Sequence, residues 1–432
     1  MKVFVYPPQS KWESLTKRPT ESFVSIEASV KNILKSVKIK GDKALIELTK
    51  KFDKVLVRNL QVDEKMIKAS GKNISTSLKK AIDRAYKNIY TFHASQVSKV
   101  EKIETISGVI CWRKSIGIEK VGLYIPGGSA PLFSTVLMLG IPAYIAGCKE
   151  MVLCTPPDKN GEVNPAILYA AEKCGIKKIY RVGGAQAIAA MAYGTKTISK
   201  ADKIFGPGNS FVMMAKQLVS LTEVAIDMPA GPSEVLVIAD DTANAGFIAA
   251  DLLSQAEHGP DSQVIFVSIN KNLIESVNKE LVSQLKLLPR KEIAEKALAN
   301  SRAILLKNLD EAIAFSNLYA PEHLILSCTN AEKVAEKVIN AGSVFIGNYS
   351  PESAGDYASG TNHTLPTNGY ASAYSGVSVD SFVKKVTFQK ISPEGLLKLG
   401  STIEIMAEAE QLNAHKNAVS IRIKEIKKKK NV

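Results

Sequence analysis

Histidine is scarce in this chain, five residues in 432, and four of them stand in polar motifs of its second half. The motifs read Ser254-Gln-Ala-Glu-His-Gly-Pro260, Ala320-Pro-Glu-His-Leu324, Gly355-Asp-Tyr-Ala-Ser-Gly-Thr-Asn-His363 and Glu410-Gln-Leu-Asn-Ala-His415. Gln255 and His258 are spaced i, i+3 at the end of a predicted helix that Gly259 and Pro260 terminate, so both can point the same way. Asp356 reads as part of a glycine-rich loop, and His415 belongs to the C-terminal helical part. Together they offer nitrogen and oxygen ligands to a divalent ion and leave positions open for substrate. No cysteine joins them, which favours a catalytic over a structural zinc site. Spacing alone is equally compatible with an unrelated set of surface and capping residues.

Glu322 and His323 stand where a loop enters the apolar run HLILSC. A neighbouring acid and imidazole can share proton transfer. Adjacent residues on an extended chain point to opposite sides, however, so the pair needs a bend to meet in one pocket. His363 in TNHTLP reads equally well as a loop brace, and His93, at the end of a helical pattern, as a surface or packing residue.

Three further motifs are rich in glycine: Tyr124-Ile-Pro-Gly-Gly-Ser129, Val182-Gly-Gly-Ala-Gln186 and Phe205-Gly-Pro-Gly-Asn209. Each follows a β-rich run, at the end of a strand where open α/β sheets bind ligands. Glycine there lets backbone amides approach a phosphate at a helix N-terminus, while Tyr124, Gln186 and Asn209 can stack on or hydrogen-bond a nucleotide. There is no G-x-G-x-x-G after the first strand, and simple tight turns are the competing reading.

The elements that must position these residues alternate. The first hundred residues show helical apolar spacing through Ile26 to Phe52 and Leu78 to Phe92. From Val121 short β-rich runs alternate with helical stretches, and from Glu234 the alternation resumes through EVLVIAD, QVIFVSI, AILL, HLILSC and SVFIG. Repeated βα units with right-handed crossovers predict parallel sheets with helices on both faces. Two such blocks, joined at about Ala230 to Ser233, predict two similar domains. A Gly, Ser and Thr rich stretch runs from Asn348 to Gly376, and a smaller helical part follows.

Composition narrows the classes. With 45% hydrophobic and 23% charged residues the chain has a globular balance. The net charge is +14, but +5 of it falls in the tail between Arg422 and Lys430 and the rest is scattered. Nucleic-acid binders gather basic residues on one element with aromatics among them, so no nucleic-acid partner is expected. The uncharged run Val121 to Cys148 is interrupted by Pro126, Gly127, Gly128, Pro131, Gly140 and Pro142, which predicts a buried strand, loop and helix rather than a membrane span. Pro7 and Pro8 break the apolar start, and the cysteines at 111, 148, 154, 174 and 328 are odd in number, form no CxxC and lie in apolar contexts. Reduced thiols and a cytoplasmic location are expected.

VGLYIPGG, VGGAQAIAA, IFGPGN, DMPAGPSEVLVIAD, SQAEHGPDSQ, YAPEHL, SAGDYASGTNHTLPT and AEAEQLNAHKNAV occur in order, and together they resemble the histidinol dehydrogenase family. The resemblance is dense from Val121 to Ile423 and loose before it. It implies oxidation of L-histidinol through L-histidinal to L-histidine with two NAD+, one zinc per subunit and water, the last step of histidine biosynthesis. It implies zinc ligation by Gln255, His258, Asp356 and His415, the last from the partner of a homodimer with shared active sites. Ser233, His323 and Glu410 would hold substrate beside the metal ligands, and Tyr124, Gln186 and Asn209 would contact NAD. His323 would act as general base and Glu322 would activate water. The implied fold is α/β, two similar incomplete Rossmann-like domains of the aldehyde dehydrogenase kind with parallel sheets, plus small helical N- and C-terminal parts. The boundaries expected are an extension over 1–25, a helical part over 26–119 joined to the catalytic domain, an NAD-binding domain over 120–231, a zinc and substrate domain over 232–375, and a C-terminal domain over 376–432 in the dimer interface.

An aldehyde dehydrogenase working through a cysteine thioester is one rival, yet Cys154 inside MVLC and Cys328 after LILS read as packing residues. A zinc hydrolase, which needs no NAD, is another.

Overall fold

The computed structural model describes residues 1–19, 23–127, 131–229 and 231–430. Gly128 and Ser129 of the first glycine-rich motif, and Ala230 at the junction of the two blocks, lie outside the described residues. Among the described residues fourteen strands follow in chain order: β1 Lys2–Val5, β2 Lys102–Ile106, β3 Val109–Gly117, β4 Lys120–Tyr124, β5 Glu150–Thr155, β6 Lys178–Arg181, β7 Lys203–Phe205, β8 Ala225–Ile226, β9 Glu234–Ala239, β10 Gln263–Ser268, β11 Arg302–Leu305, β12 His323–Ser327, β13 Ser343–Ile346 and β14 Val383–Ile391.

Both blocks of alternation fold as all-parallel sheets. The first gives five strands in the order β6-β5-β4-β7-β8, the second six in the order β1-β11-β10-β9-β12-β13. The inner strands β9, β10 and β12 of the larger sheet are buried on both faces, so they read as near-continuous apolar runs. Val235, Val237, Val264 and Phe266 face the helices Ala245–Ala256, Lys271–Leu285 and Lys291–Ala299. Their neighbours Leu236, Ile238, Ile265 and Val267 face Trp12, Phe315 and Tyr319. Side chains alternate with period two, and each set finds its own core.

The chain forms two compact units, residues 1–96 with 118–382 and residues 97–117 with 383–432. Within the first, β1 is an edge strand of the six-stranded sheet. The helices Phe23–Lys40, Asp42–Phe52 and Thr76–Ala94 pack on the five-stranded sheet and its helices, where Val30, Val37, Leu45, Ile82 and Ile89 are buried. The apolar faces of these helices meet partners such as Ile188 and Leu139 of the first block, and Asn88 of the last of them donates to the Ala358 carbonyl of the second at 2.8 Å.

The second unit holds a three-stranded antiparallel sheet, β14-β3-β2, with the helices Pro393–Ala409 and Asn413–Lys430. The sequence shows helices here but not these strands. Asp356 also departs from expectation: it lies in a helix, Glu352–Tyr357, not in a loop. No helix among the described residues is long and apolar enough to cross a membrane.

Candidate active site

Two elements and one bend bring the polar residues of the second block together. The helix Ala245–Ala256 starts at Asn244, whose side chain accepts from the amides of Gly246 and Phe247, and buries Ile248, Leu252 and Leu253 against the sheet. Its last turn carries Gln255, buried, and His258 follows one turn on, its amide donating to the Gln255 carbonyl at 3.3 Å. The short helix Glu352–Tyr357 places Glu352 and Asp356 at i, i+4, hence on one face. A nitrogen of His258 and carboxylate oxygens of Glu352 and Asp356 all lie within 4.8 Å of one another, a spacing that fits a bound cation.

The bend solves the problem of the adjacent pair. Tyr319 ends a helix, Ala320 takes a left-handed φ of 51°, and Pro321 leads into Glu322, which precedes β12 rather than lying in it. Gly342 makes this approach possible, since a Cβ there would stand 2.6 Å from the Glu322 carbonyl oxygen. The Glu322 carboxylate therefore turns inward. Its Oε2 accepts from the Glu234 amide at 2.9 Å and from Gln255 Nε2 at 3.3 Å. His323, the first residue of β12, lies with Nδ1 3.2 Å from the Glu234 carbonyl and 3.7 Å from Glu322 Oε2, and with Nε2 3.5 Å from Asp356 Oδ1.

Charge in this pocket is unbalanced. Burial pushes the Glu322 carboxyl up to about 8, reinforced by the carboxylates of Glu234 and Asp356 and opposed by His323. Burial pulls the His323 imidazole down, but Glu352, Glu322 and Asp356 outweigh it and raise the ring to about 10. Glu352 is fully buried, neither of its oxygens has a hydrogen-bond donor among the described residues, and burial raises it well above the carboxylate range. Buried carboxylates without donors call for protons or a cation, and a divalent ion held by His258 and Asp356 would balance the surplus. The residues fit zinc. Glu352 is the site residue missing from the sequence reading; its signal was the i, i+4 spacing to Asp356 in PESAGDY.

A family model for histidinol dehydrogenase matches residues 16–423. The chain belongs to the histidinol dehydrogenase family. It is 58% identical over 427 residues to the histidinol dehydrogenase of Bacteroides thetaiotaomicron, covering 99% of this chain and 100% of that protein. It is 52% identical over 423 residues to the chloroplastic histidinol dehydrogenase of Arabidopsis thaliana, covering 97% and 90%. The crystal structure of histidinol dehydrogenase from Elizabethkingia anophelis superposes with a TM-score of 0.97 at 57% identity, over 99% of each chain. As a histidinol dehydrogenase the protein is an oxidoreductase of histidine biosynthesis whose substrate is histidinol.

The other residues singled out in this histidinol dehydrogenase fall into three places. Ser233 is half-buried just before β9. Tyr124, Gln186 and Asn209 lie at or just beyond the carboxyl ends of β4, β6 and β7. The Tyr124 hydroxyl accepts from the Gly184 amide at 3.0 Å, Gln186 is buried in the first turn of the helix Gly184–Tyr193, and Asn209 caps the helix Ser210–Ser220 through the Val212 amide at 3.1 Å. Glu410 and His415 belong to the second unit, exposed at the end of one helix and near the start of the next. His363 braces the helix Glu352–Tyr357, with Nδ1 2.9 Å from the Asp356 carbonyl and Nε2 3.2 Å from the Thr135 hydroxyl. His93 is a buried packing residue bonded to the Ile89 carbonyl at 3.1 Å. The cysteines of the rival mechanism are unsuited to attack: Cys154 and Cys328 are buried, and burial raises both thiols, that of Cys328 to about 11.

Proposed function

We propose that the chain oxidises L-histidinol through L-histidinal to L-histidine, with two NAD+ and one water, at one zinc per subunit. Gln255, His258, Asp356 and the partner subunit's His415 would hold the metal in a homodimer. The grouping of His258, Asp356 and the orphaned Glu352 beside the Glu322–His323 pair carries this reading. Gln255 supports it, because an amide that donates Nε2 to Glu322 keeps Oε1 available as a ligand. Zinc, when bound, would anchor and orient the substrate's amino and imidazole nitrogens. NAD+, when bound near Tyr124, Gln186 and Asn209, would accept the hydride.

The tautomer of His323 follows from its neighbours. The ring, raised to about 10 among the carboxylates, would be neutral once zinc offsets them, and the Glu234 carbonyl, nearer to Nδ1 at 3.2 Å than Gln255 Nε2 at 3.4 Å, can only accept, which would put the proton on Nδ1 and the lone pair on Nε2. Nε2, 3.5 Å from Asp356 Oδ1 and without a closer partner among the described residues, would take the proton of the substrate hydroxyl as the carbinol carbon gives up its hydride. In the second oxidation Glu322, anchored through Oε2 alone, would use its other oxygen to deprotonate water attacking the aldehyde. The hydrate then loses the second hydride. Ser233 and Glu410 would hold the substrate, and keeping the aldehyde bound protects it from side reactions.

Glu322→Gln separates the two roles. Oxidation of supplied L-histidinal should fall by about 10²-fold or more, with hydride transfer from L-histidinol far less affected, as measured by single-turnover NADH formation on each substrate. Equal loss on both would remove Glu322 from water activation.

A further inference from the structure

Arg18 lies in the N-terminal segment, hundreds of residues from the catalytic pair in sequence, yet its side chain is largely buried beside it, 12% exposed. Its Nε and Nη2 form a fork on Glu234, at 2.5 Å to Oε1 and 2.9 Å to Oε2. Nη2 also reaches the carbonyls of Tyr319 at 2.6 Å and Ala320 at 3.4 Å, and the guanidinium lies over the Tyr319 ring, 4.0 Å from its centroid. Glu234 is correspondingly occupied. Its Oε1 accepts from the Asn368 amide at 2.7 Å, its own amide donates to Glu322, and its carbonyl accepts from His323. One guanidinium thus fixes both supports of the pair: the start of β9, which holds the two side chains, and the bend at Tyr319 and Ala320, which delivers them.

We propose that Arg18 is a positioning residue for both oxidations, acting through Glu234 on Glu322 and His323. The inference rests on the roles given to those two residues above. A buried ion pair is a poor way to gain stability, since apolar residues of like volume serve as well or better. What a planar fork supplies is direction: two parallel bonds and a stacked face set the carboxylate's plane, which a lysine ammonium cannot do. Neither Arg18 nor Glu234 reaches the metal residues within hydrogen-bond distance, so zinc and substrate binding should be spared while the catalytic groups drift.

The test uses the full-length, zinc-loaded enzyme with Arg18→Lys, Arg18→Met and Arg18→Ala, and Glu322→Gln as a reference. kcat and KM are measured on L-histidinol and L-histidinal separately, with zinc content and thermal unfolding. Arg18→Lys and Arg18→Met should lower kcat at least about tenfold on both substrates, with KM and zinc content within about twofold. Added guanidinium ion should restore kcat to Arg18→Ala. A folded Arg18→Lys or Arg18→Met with kcat within twofold of wild type would overturn the proposal. Should both unfold, Arg18→Ala decides: rescue by guanidinium supports the role, and absence of rescue overturns it. If Glu322→Gln keeps full aldehyde oxidation, the assignment of Glu322 has failed, whereas loss in Glu322→Gln with an unaffected Arg18→Met defeats the inference about Arg18 alone.

Discussion

Among the described residues Glu352 has no donor for either carboxylate oxygen although it is completely buried, which calls for a proton on it or a cation beside it. His258→Asn and Asp356→Asn should each abolish stoichiometric zinc in the purified protein, read by metal analysis, and with it both oxidations. Glu352→Gln keeps the shape and removes the charge; a zinc affinity about 10 to 100 times weaker is expected in competition with a chromophoric chelator. Affinity equal to wild type would mean that Glu352 sits in the pocket protonated. Gln255, His258 and Asp356 could be singled out as candidates because a rare residue type in polar motifs stands out in a chain with five histidines. Glu352 was not, because Pro351, Gly355 and Ser353 disguise a six-residue helix as a loop. Arg18 was hidden for another reason: its partner lies 216 positions away, and no local pattern announces such a contact.

At the scale of elements, the two parallel sheets carry their polar residues at opposite ends. In the five-stranded sheet Tyr124, Gln186 and Asn209 cluster at carboxyl ends, as the rule for open α/β sheets leads one to expect. In the six-stranded sheet Ser233, Glu234 and His323 stand at the amino ends of β9 and β12, where the helix Ala245–Ala256 delivers its C-terminal Gln255. Hydrophobic alternation reveals strands but not which end is functional, so this reversal was beyond the sequence reading. The turn after β7 shows how tightly the first set is built. Gly206 has a φ of 125°, and a Cβ there would fall 2.1 Å from the Tyr124 carbonyl oxygen. Gly206→Ala should therefore displace the IFGPGN turn, raising KM for NAD+ several-fold and lowering stability by about 1–3 kcal/mol, with zinc content unchanged. Steady-state kinetics in varied NAD+ and thermal unfolding check both. The strands β2, β3 and β14 escaped notice because their pattern is weak: β2 is exposed throughout, and β14 pairs with β3 across more than 260 intervening residues.

For the whole molecule, stability depends on pH through buried groups outside the Glu322–His323 pocket as well. Asp53, at the end of the helix Asp42–Phe52, has an oxygen without a partner, and burial pushes its carboxyl up to about 6. A carboxyl whose pKa is higher folded than unfolded binds protons better in the folded state, so its contribution is fully present below about pH 4 and is lost as pH rises toward and through 6. Asp53→Asn removes that penalty. It should raise the unfolding temperature at pH 8, with the gain shrinking as pH falls toward 4; a gain independent of pH would assign the effect to packing instead. The two-block α/β plan was legible from βα alternation alone, since parallel sheets buried on both faces leave continuous apolar runs in sequence. The side on which the N-terminal helices settle was not, because an amphipathic face shows that a helix packs without showing on what.

The central claim is a zinc-dependent oxidation by four electrons on one chain, and NADH formed per L-histidinol consumed tests it most directly, before and after removal of metal by a chelator and again after zinc is added back. The account predicts two NADH per substrate, loss of both on chelation, and return of both with zinc. One NADH per substrate, or two that persist without metal, would contradict it.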